Sequence, residues 1–329
     1  MKTMKAYVIE TPGPKENLIL RNIEIPAPKD GWILIKIKAF GLNRAEWFTR
    51  NGDSPSVKFP RVLGIECVGE VEDASNTRFK KGQKVAALMG GMGRDFDGSY
   101  AEYTLVPESN VFLLETSLDW KKLAALPEML QTTHGSLYQG LEIERASTIL
   151  IRGGTSSIGL CALSIAKIKG LKVVTTTRSE AKAAELESLG ADHVLIEDGK
   201  LAPQIKKIFP SGVDRVLELI GTKTLLDSMN CIKPGGTACM TGILGGEWEL
   251  KHFRPMEDIP TSVKLTGYSG DASNITEKEL NHYLREAENG NLNIKLGPSF
   301  SFEDLHKGHQ LIDENRAGGK MVIYHRENH

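Results

Sequence analysis

The chain has 329 residues, enough for two domains, with 40% hydrophobic and 25% charged residues and a formal net charge of −1. So balanced a charge argues against a protein that coats nucleic acid or an anionic membrane. The first residues lack the apolar core of a signal peptide, and no run of about 18 apolar residues predicts a membrane span, so we expect a cytoplasmic protein with neither nucleic-acid nor membrane partners.

The region from Met4 to about Leu114 predicts a β-rich body. Short apolar and β-branched runs alternate there with turn pairs such as Lys81-Gly82 and Asp97-Gly98, as in all-β domains. The predicted strands are Met4–Ile9, Trp32–Ala39, Val62–Glu72 and Tyr100–Val106.

From about Lys122 onward, strands alternate with helices, beginning with a helical pattern over Leu123–Gly140. The predicted strands are Thr148–Arg152, Lys172–Thr177, His193–Ile196, Asp214–Ile220 and Thr237–Thr241. The predicted helices are Ser157–Lys169, Ser179–Leu189, Ala202–Ile208 and Thr224–Ile232. Repeated βαβ units predict a parallel sheet with helices on both faces. The mixed short elements of Ser299–Tyr324 are expected to rejoin the first region.

A glycine-containing turn follows the first of these strands. The segment Ser147–Gly170 reads STILIRGGTSSIGLCALSIAKIKG, and it fits the pattern G-x-G-x-x-G from Gly154 on, with Ser156 at the middle glycine. Such a turn lets the backbone approach a pyrophosphate, which the first N–H groups of the next helix then face. A tight turn without a ligand is the less favoured alternative, because two further βα units follow. The predicted cofactor-binding residues of the turn are Gly153, Gly154, Thr155, Ser156, Ser157, Ile158 and Gly159.

The end of the next strand indicates which dinucleotide binds. NAD sites usually carry Asp or Glu about 20 residues beyond the turn, but here the strand ends in Thr177-Arg178-Ser179, with Lys182 one helical turn further on. Two cations and a hydroxyl suit a 2′-phosphate. Ser179 could also cap the following helix, and Glu180 is a mild signal against a phosphate. We predict NADP(H) as the cofactor, bound by Thr177, Arg178, Ser179 and Lys182.

Six further segments are informative when taken together. They are GLNRAEWFTRNG (Gly41–Gly52), PRVLGIECVGEV (Pro60–Val71), GSYAEYTLVPE (Gly98–Glu108), ALPEMLQTTHGSL (Ala125–Leu137), ESLGAD (Glu187–Asp192) and NRAGGKMVI (Asn315–Ile323). In combination they are similar to the medium-chain dehydrogenases/reductases, most closely to the quinone oxidoreductase branch. The resemblance implies an α/β protein with a Rossmann doubly wound parallel sheet and a GroES-like β-rich catalytic domain. Residues 1–122 and 294–329 would form the GroES-like domain, and residues 123–293 the NADP-binding domain.

The chain departs from the zinc alcohol dehydrogenases of this superfamily at their metal ligands. Asn43 stands in the neighbourhood of the position where those enzymes have a cysteine ligand, and Ile65 stands where they have a histidine. Neither an amide nor an isoleucine suits a tetrahedral Zn²⁺ site with nitrogen and sulfur ligands. We therefore predict no metal. The four cysteines lack the short paired spacing of a structural zinc site and are expected to be buried and reduced.

The resemblance also assigns roles to single residues. It places Asn43 near the nicotinamide, as a candidate donor or orienting group, and Thr133 near the cofactor amide and phosphates. It places Lys182 and Arg316 at the 2′-phosphate. Glu197 departs from the family pattern, because some relatives have a tyrosine packing beside that phosphate there, and Arg178 is left to bind part of it.

The remaining candidate site residues favour structural interpretations or weaken a catalytic one. Phe48 stands where some relatives have an active-site tyrosine, which weakens any proposal of tyrosine acid catalysis. Glu66 would be costly to bury unpaired, so a supporting role at the site and an internal structural role both stay open. His134 is interpreted as a packing or surface residue. His306 and His309 have metal-like spacing but no third ligand nearby, so a surface position is favoured.

The predicted reaction is hydride transfer from C4 of NADPH to a small electrophilic acceptor, a quinone or an α,β-unsaturated carbonyl, with the proton supplied by water or a ribose hydroxyl. An enoyl-thioester or alkenal reductase is the nearest alternative. A non-catalytic NADPH-binding protein is the alternative from another class. The resemblance further suggests a homodimer, with Val263–Tyr268 extending the sheet across a two-fold axis.

Overall fold

The N-terminal strand alternates between exposed and buried residues from Thr3 to Ala6, and both of its faces are covered further on, where Tyr7 and Ile9 are buried. The computed structural model describes residues 2–326. Its strands are β1 (Thr3–Ile9), β2 (Leu18–Glu24), β3 (Trp32–Gly41), β4 (Arg61–Val62), β5 (Glu66–Asp73), β6 (Lys84–Leu88), β7 (Tyr103–Pro107), β8 (Val111–Leu113), β9 (Thr148–Arg152), β10 (Lys172–Thr177), β11 (His193–Ile196), β12 (Val213–Glu218), β13 (Ile232–Met240), β14 (Lys264–Gly267), β15 (Leu296–Ser301) and β16 (Lys320–Tyr324).

The helices lie mostly in the second half of the chain. They are α1 (Arg44–Asn51), α2 (Trp120–Ala124), α3 (Pro127–Gly135), α4 (Ser157–Ile168), α5 (Ala183–Ser188), α6 (Ala202–Ile208), α7 (Thr222–Asn230), α8 (Pro255–Asp258), α9 (Glu277–Glu288) and α10 (Leu305–Asp313). No helix within residues 2–326 is both long enough and apolar enough to cross a lipid bilayer.

The chain divides into two units. The first takes in the residues up to Gln131, Asp271–Glu288 and the residues from Lys295 on. It holds a three-stranded sheet of order β2-β1-β4 and a seven-stranded sheet of order β15-β16-β3-β5-β6-β8, with β7 paired to β3. Strand β16 pairs with β3, so the C-terminal segment does rejoin the first region as expected.

The second unit comprises Thr132–Gly270 and Asn289–Ile294. Its six-stranded sheet has the order β11-β10-β9-β12-β13-β14, and every neighbouring pair is parallel. The direction of winding reverses between β9 and β12, and ligands of such sheets bind at the carboxyl ends of the strands beside this reversal. The predicted combination of a doubly wound parallel sheet and a β-rich domain is confirmed.

Two predicted elements are broken at a proline or a glycine. The predicted helix over Leu123–Gly140 is α2, then α3, then a π-helical turn over Ser136–Gly140. Pro127 disfavours the helical conformation of the residue before it and begins a new helix instead. The predicted strand Val62–Glu72 is broken between β4 and β5, because Gly64 adopts a φ of 104° and lies against Ser99, where a Cβ would come within 2.2 Å of its Oγ.

The domain limits predicted from the sequence remain a prediction, and they take in Met1 and residues 327–329, which lie outside the described part. The structural units have different limits. Helix α9 belongs to the first unit, where the Glu277 side chain accepts a hydrogen bond from Leu113 N at 2.8 Å and Asn281 accepts one from Glu115 N at 2.8 Å.

Candidate functional site

The turn between β9 and α4 is closed by a serine cap. Ser156 Oγ donates to the Gly153 carbonyl at 2.8 Å and accepts from Gly159 N at 3.0 Å. Gly153 has a φ of 97°, which favours glycine. A Cβ on Gly154 would lie 1.8 Å from Thr175 Oγ1, so the turn packs directly on β10. The pattern around these glycines therefore has a geometric reason in the structure.

The start of α4 suits an anion. The first N–H groups of a helix have no acceptor within the helix, and the Ser156 cap takes the one on Gly159. Those of Ser157 and Ile158 remain for a ligand, at the positive end of a 12-residue helix.

A cavity of about 270 Å³ lies beside this turn. It is lined by Thr155, Thr177, Arg178, Ser179 and Lys182. The structure thus brings together all four residues predicted at the end of β10, with one residue of the turn. The Arg178 and Lys182 side chains are exposed, which keeps their charges available to a phosphate.

The backbone after β10 differs from the predicted helix Ser179–Leu189. Residues Glu180–Lys182 form a 3-10 turn that precedes α5. Ser179 N donates to Thr177 Oγ1 at 3.1 Å, and the Ser179 side chain makes no capping bond. Its hydroxyl is therefore left to the cavity rather than used by the helix.

Thr133 lies within α3 and is fully buried. Its Oγ1 has no hydrogen-bond partner among residues 2–326, and a buried hydroxyl without a partner is costly. His134 beside it stacks on Tyr138 with ring centroids 4.4 Å apart, which confirms the packing interpretation. Arg316, in the first unit, is exposed and bonds Glu314 at 3.0 Å.

These features fit a dinucleotide that carries a ribose phosphate. The turn offers backbone N–H groups for a pyrophosphate, and the adjoining cavity offers two cations and hydroxyls. The unpartnered Thr133 hydroxyl is a further group that a ligand could satisfy.

A second group of functional side chains surrounds Asn43 in the first unit. Asn43 stands immediately before α1, and its backbone N donates to Glu46 Oε2 at 2.9 Å. Its side-chain Nδ2 donates to Glu66 Oε1 at 3.0 Å and to Glu46 Oε1 at 3.3 Å. Its Oδ1 accepts a short bond from Lys320 Nζ. Every hydrogen-bonding group of the amide is thereby used inside the protein.

Lys320 is the centre of this group, which we call the Lys320 cluster: Asn43, Glu46, Glu66, Glu128 and Lys320. The Lys320 ammonium contacts Glu66 Oε1 at 2.8 Å and Glu128 Oε2 at 3.1 Å, in addition to Asn43. Three acceptors match its three N–H bonds. Glu66 Oε2 in turn accepts from Glu128 N at 2.9 Å, so the Glu66 carboxylate is paired and hydrogen-bonded rather than free.

Charge in the Lys320 cluster is unbalanced, with one cation and three carboxyl groups. Burial alone would lower the pKa of Lys320, but Glu66 and Glu128 outweigh burial and raise it above its ordinary value. Burial raises the pKa of Glu46 to about 7, against the effect of its hydrogen bonds and of Lys320. Near neutral pH, Glu46 is therefore poised between its protonated and ionised forms.

Sequence reasoning did not identify Lys320 or Glu128 as site residues. The segment NRAGGKMVI, which contains Lys320, contributes only to the family resemblance. The sequence offers little signal, because lysine is mostly exposed in folded proteins and a lysine that follows two glycines at the start of an apolar strand fits an exposed position. The side chain is 3% exposed, and a buried lysine needs anionic partners.

The surface interpretation of His309 was wrong. Its ring is fully buried and lies within hydrogen-bonding distance of the Tyr100 hydroxyl, at 3.0 Å, and of Arg50 Nη1, at 3.2 Å. Burial, aided by the neighbouring Arg50, lowers the pKa of His309 to about 3, so it is neutral at physiological pH. The prediction of buried cysteines is confirmed for all four.

No group of three His, Cys, Asp or Glu side chains in the described range 2–326 is arranged to hold a metal ion. Ile65 is buried and offers no ligand atom. The Asn43 amide oxygen already accepts a hydrogen bond from Lys320.

Comparison with known proteins gives matches over almost the whole chain. A family model described as an alcohol dehydrogenase GroES-like domain matches residues 29–116, and one described as a zinc-binding dehydrogenase matches residues 157–285. The quinone oxidoreductase of Sus scrofa is 29% identical over 336 residues, which cover 98% of each chain. The acryloyl-coenzyme A reductase of Sulfurisphaera tokodaii is 24% identical, covering 97% of this chain and 99% of its own.

A solved structure extends the likeness to three dimensions. A mycobacterial protein complexed with NADPH superposes with a TM-score of 0.82 at 25% identity, over 98% of this chain and 99% of its own. The GroES-like character of the β-rich region is confirmed by the family match at residues 29–116.

Proposed function

The chain belongs to the medium-chain dehydrogenase/reductase superfamily, on its quinone oxidoreductase-like branch, and we propose that it is an NADPH-dependent oxidoreductase that passes hydride to a quinone or to an activated C=C or carbonyl group without zinc. The observation that carries the proposal is the cavity of Arg178 and Lys182 beside the glycine turn. The solved relative with bound NADPH supports the same cofactor.

The cofactor proposal depends on charge. A 2′-phosphate carries about two negative charges at neutral pH, and the cavity presents two cations together with the Thr177 and Ser179 hydroxyls. Among residues 2–326, no carboxylate lines it. A ribose without a phosphate would leave both cations without an anionic partner, so NADPH should bind more tightly than NADH.

The zinc-free proposal depends on Asn43 and Ile65. The matched model whose description mentions zinc covers residues 157–285, which contain neither of them. An isoleucine side chain has no ligand atom, and the Asn43 amide oxygen is bonded to an ammonium group. Reduction of acceptors that need no Lewis acid is therefore favoured over the oxidation of simple alcohols.

We propose Asn43 as an orienting residue rather than as a donor to the acceptor. Both hydrogens of its amide point at carboxylates, and its oxygen holds Lys320. Bound NADPH would supply the hydride, and the proton that completes the reduction would come from water or a ribose hydroxyl. The residues of this chain then act by binding and placing the reactants.

Two other functions stay open. An enoyl-thioester or alkenal reductase is supported by the match to an acryloyl-coenzyme A reductase. A non-catalytic NADPH-binding protein would keep the same cavity and turn, so only turnover separates it from an enzyme.

The test is NADPH oxidation by the purified protein against simple quinones, enones, alkenals and enoyl thioesters, with ethanol oxidation as the comparison. We expect turnover with at least one electron-poor acceptor and none with ethanol. The proposal fails if NADPH binds and no acceptor in the panel is reduced. Zinc added after chelation should leave the rate unchanged.

The proposed homodimer would form through β14. This strand is at one end of the six-stranded sheet, and in the described part of the chain it pairs only with β13. An unpaired edge of this kind can extend a sheet into a second copy. A monomeric mass in solution at micromolar concentration would reject the dimer. The cytoplasmic location also remains a prediction.

A further inference from the structure

Glu197 lies next to the proposed phosphate site. It directly follows β11, and its backbone N donates to the Thr177 carbonyl at 2.9 Å. Thr177 lines the cavity with Arg178 and Lys182. Neighbouring strands are about 4.8 Å apart, so a Glu197 carboxylate turned toward Thr177 would stand beside the 2′ position of the ribose and repel a phosphate there.

The carboxylate is turned the other way, toward Arg152. Arg152 Nε donates to Glu197 Oε2 at 2.8 Å, and Arg152 Nη2 donates to Glu197 Oε1 at 2.6 Å. This bidentate arrangement fixes the plane of the carboxylate as well as its position. The Glu197 side chain is only 8% exposed, although residues Asp198 to Lys200 after it are exposed.

Arg152 is itself held in one orientation. Its side chain is fully buried at the end of β9, directly before the glycine turn. Its remaining nitrogen, Nη1, donates to Asp227 at 2.8 Å, to Ser228 Oγ at 3.0 Å and to the Thr224 carbonyl at 3.1 Å. Helix α7 thus anchors the arginine beneath the strand ends, and the guanidinium cannot swing out with Glu197.

The cavity lined by Thr155, Thr177, Arg178, Ser179 and Lys182 is called the phosphate cavity, after its proposed ligand. We propose that Arg152 is a specificity-determining residue, which makes NADPH binding possible by holding the Glu197 carboxylate away from the phosphate cavity. The inference rests on the proposed function, because it explains a preference for NADPH that the proposed function asserts. It adds that the preference needs a buried arginine that touches no cofactor, in addition to the exposed Arg178 and Lys182.

The test is fluorescence titration of NADPH and NADH into the wild type, Arg152→Met, Glu197→Gln and the double variant. Arg152→Met removes both side-chain donors to the Glu197 carboxylate and leaves it the hydrogen bond from Gly199 N at 2.9 Å. NADPH affinity should then fall about tenfold while NADH affinity holds, since the carboxylate that Arg152 no longer neutralises repels only the phosphate. Glu197→Gln should change the preference little, because the carboxylate it removes is already neutralised. The double variant has no carboxylate to release and should recover the NADPH preference.

The outcomes separate the inference from the proposed function. A wild type without preference for NADPH defeats the proposed function, whatever the variants do. A wild type that prefers NADPH, with an Arg152→Met variant of equal preference, overturns the inference alone. Equal weakening of both cofactors in Arg152→Met, with no recovery in the double variant, assigns Arg152 a merely structural role and also overturns it.

Arg152→Met could fail to fold, because it leaves Glu197 and Asp227 without their cation. Arg152→Lys keeps the charge and loses the bidentate geometry. It should lose part of the NADPH preference, and Arg152→Lys with Glu197→Gln should regain it. The inference is contradicted if Arg152→Lys folds, keeps the wild-type preference for NADPH, and shows the same preference as Arg152→Lys with Glu197→Gln.

Discussion

The phosphate cavity and the Lys320 cluster use the same type of residue in opposite surroundings. Lys182 is exposed at the edge of a cavity of about 270 Å³, whereas the Lys320 side chain is 3% exposed and contacts two carboxylates. An exposed cation keeps its charge for a ligand and adds little to stability. A buried cation is bound to its partners, and those partners depend on it in turn. Replacing Lys182 should therefore change cofactor binding, and replacing Lys320 should change the stability of the fold.

Replacing Lys320 should give the largest effect. Lys320→Met leaves Glu66 and Glu128 without a cation and should lower the free energy of unfolding by about 3–5 kcal/mol. Urea unfolding followed by circular dichroism measures this loss. The matched control, Lys182→Met, should change stability by less than about 0.5 kcal/mol. Similar losses in the two variants would remove the contrast between the regions.

The charge imbalance of the Lys320 cluster should appear as a pH dependence of stability. Because burial raises the pKa of Glu46 from 4.5 to about 7, the folded protein holds a proton between these pH values that the unfolded chain has released. Stability from this group therefore falls as the pH rises through that window, by up to about 1.4 kcal/mol per pH unit.

Glu46→Gln should remove this contribution. The readout is the difference between the two unfolding free energies as a function of pH, which is insensitive to groups that both proteins share. We expect the wild type to lose stability relative to the variant from pH 5 to pH 7. Parallel curves over this range would show that Glu46 titrates normally.

The glycine turn beside the phosphate cavity permits a steric test. Gly154→Ala would place a Cβ 1.8 Å from Thr175 Oγ1, and Thr175 is buried. The substitution should lower the free energy of unfolding by about 1–3 kcal/mol and should also weaken NADPH binding. Gly267→Ala is the control, because the nearest atom to its Cβ would be 4.0 Å away. Thermal unfolding and NADPH titration of both variants measure the difference. Equal behaviour would mean that the turn can move away from β10.

The two regions also differ in how far the sequence predicts them. The turn and the phosphate cavity come from short stretches, Gly153–Gly159 and Thr177–Lys182, in which strand, turn and helix follow one another. Local patterns of this kind predict a site because the chemistry and the backbone geometry are encoded together. The predicted strand ends of β9 and β10 match the structure.

The Lys320 cluster is assembled by the tertiary fold. Asn43 and Lys320 bond to each other across 277 positions of sequence, through the pairing of β16 with β3. No local pattern predicts which carboxylates a buried lysine will meet. The same holds for His309, which bonds Arg50 across 259 positions and was interpreted as a surface residue. Arg152 lies between these cases. An arginine at the end of the apolar strand TILIR is unusual enough to be recognised in the sequence, but the sequence does not show that its partner is Glu197.

The most direct test of the account is the affinity of the protein for NADPH and NADH, measured by titration on the wild type and on an Arg178→Gln/Lys182→Gln variant. We predict that the wild type binds NADPH about 10- to 100-fold more tightly than NADH, since each cation makes a charge-assisted contact with the phosphate. The variant should lose this preference by weakening for NADPH alone, with stability unchanged. A wild type that binds both dinucleotides equally, or a variant that keeps the preference, would contradict the assignment.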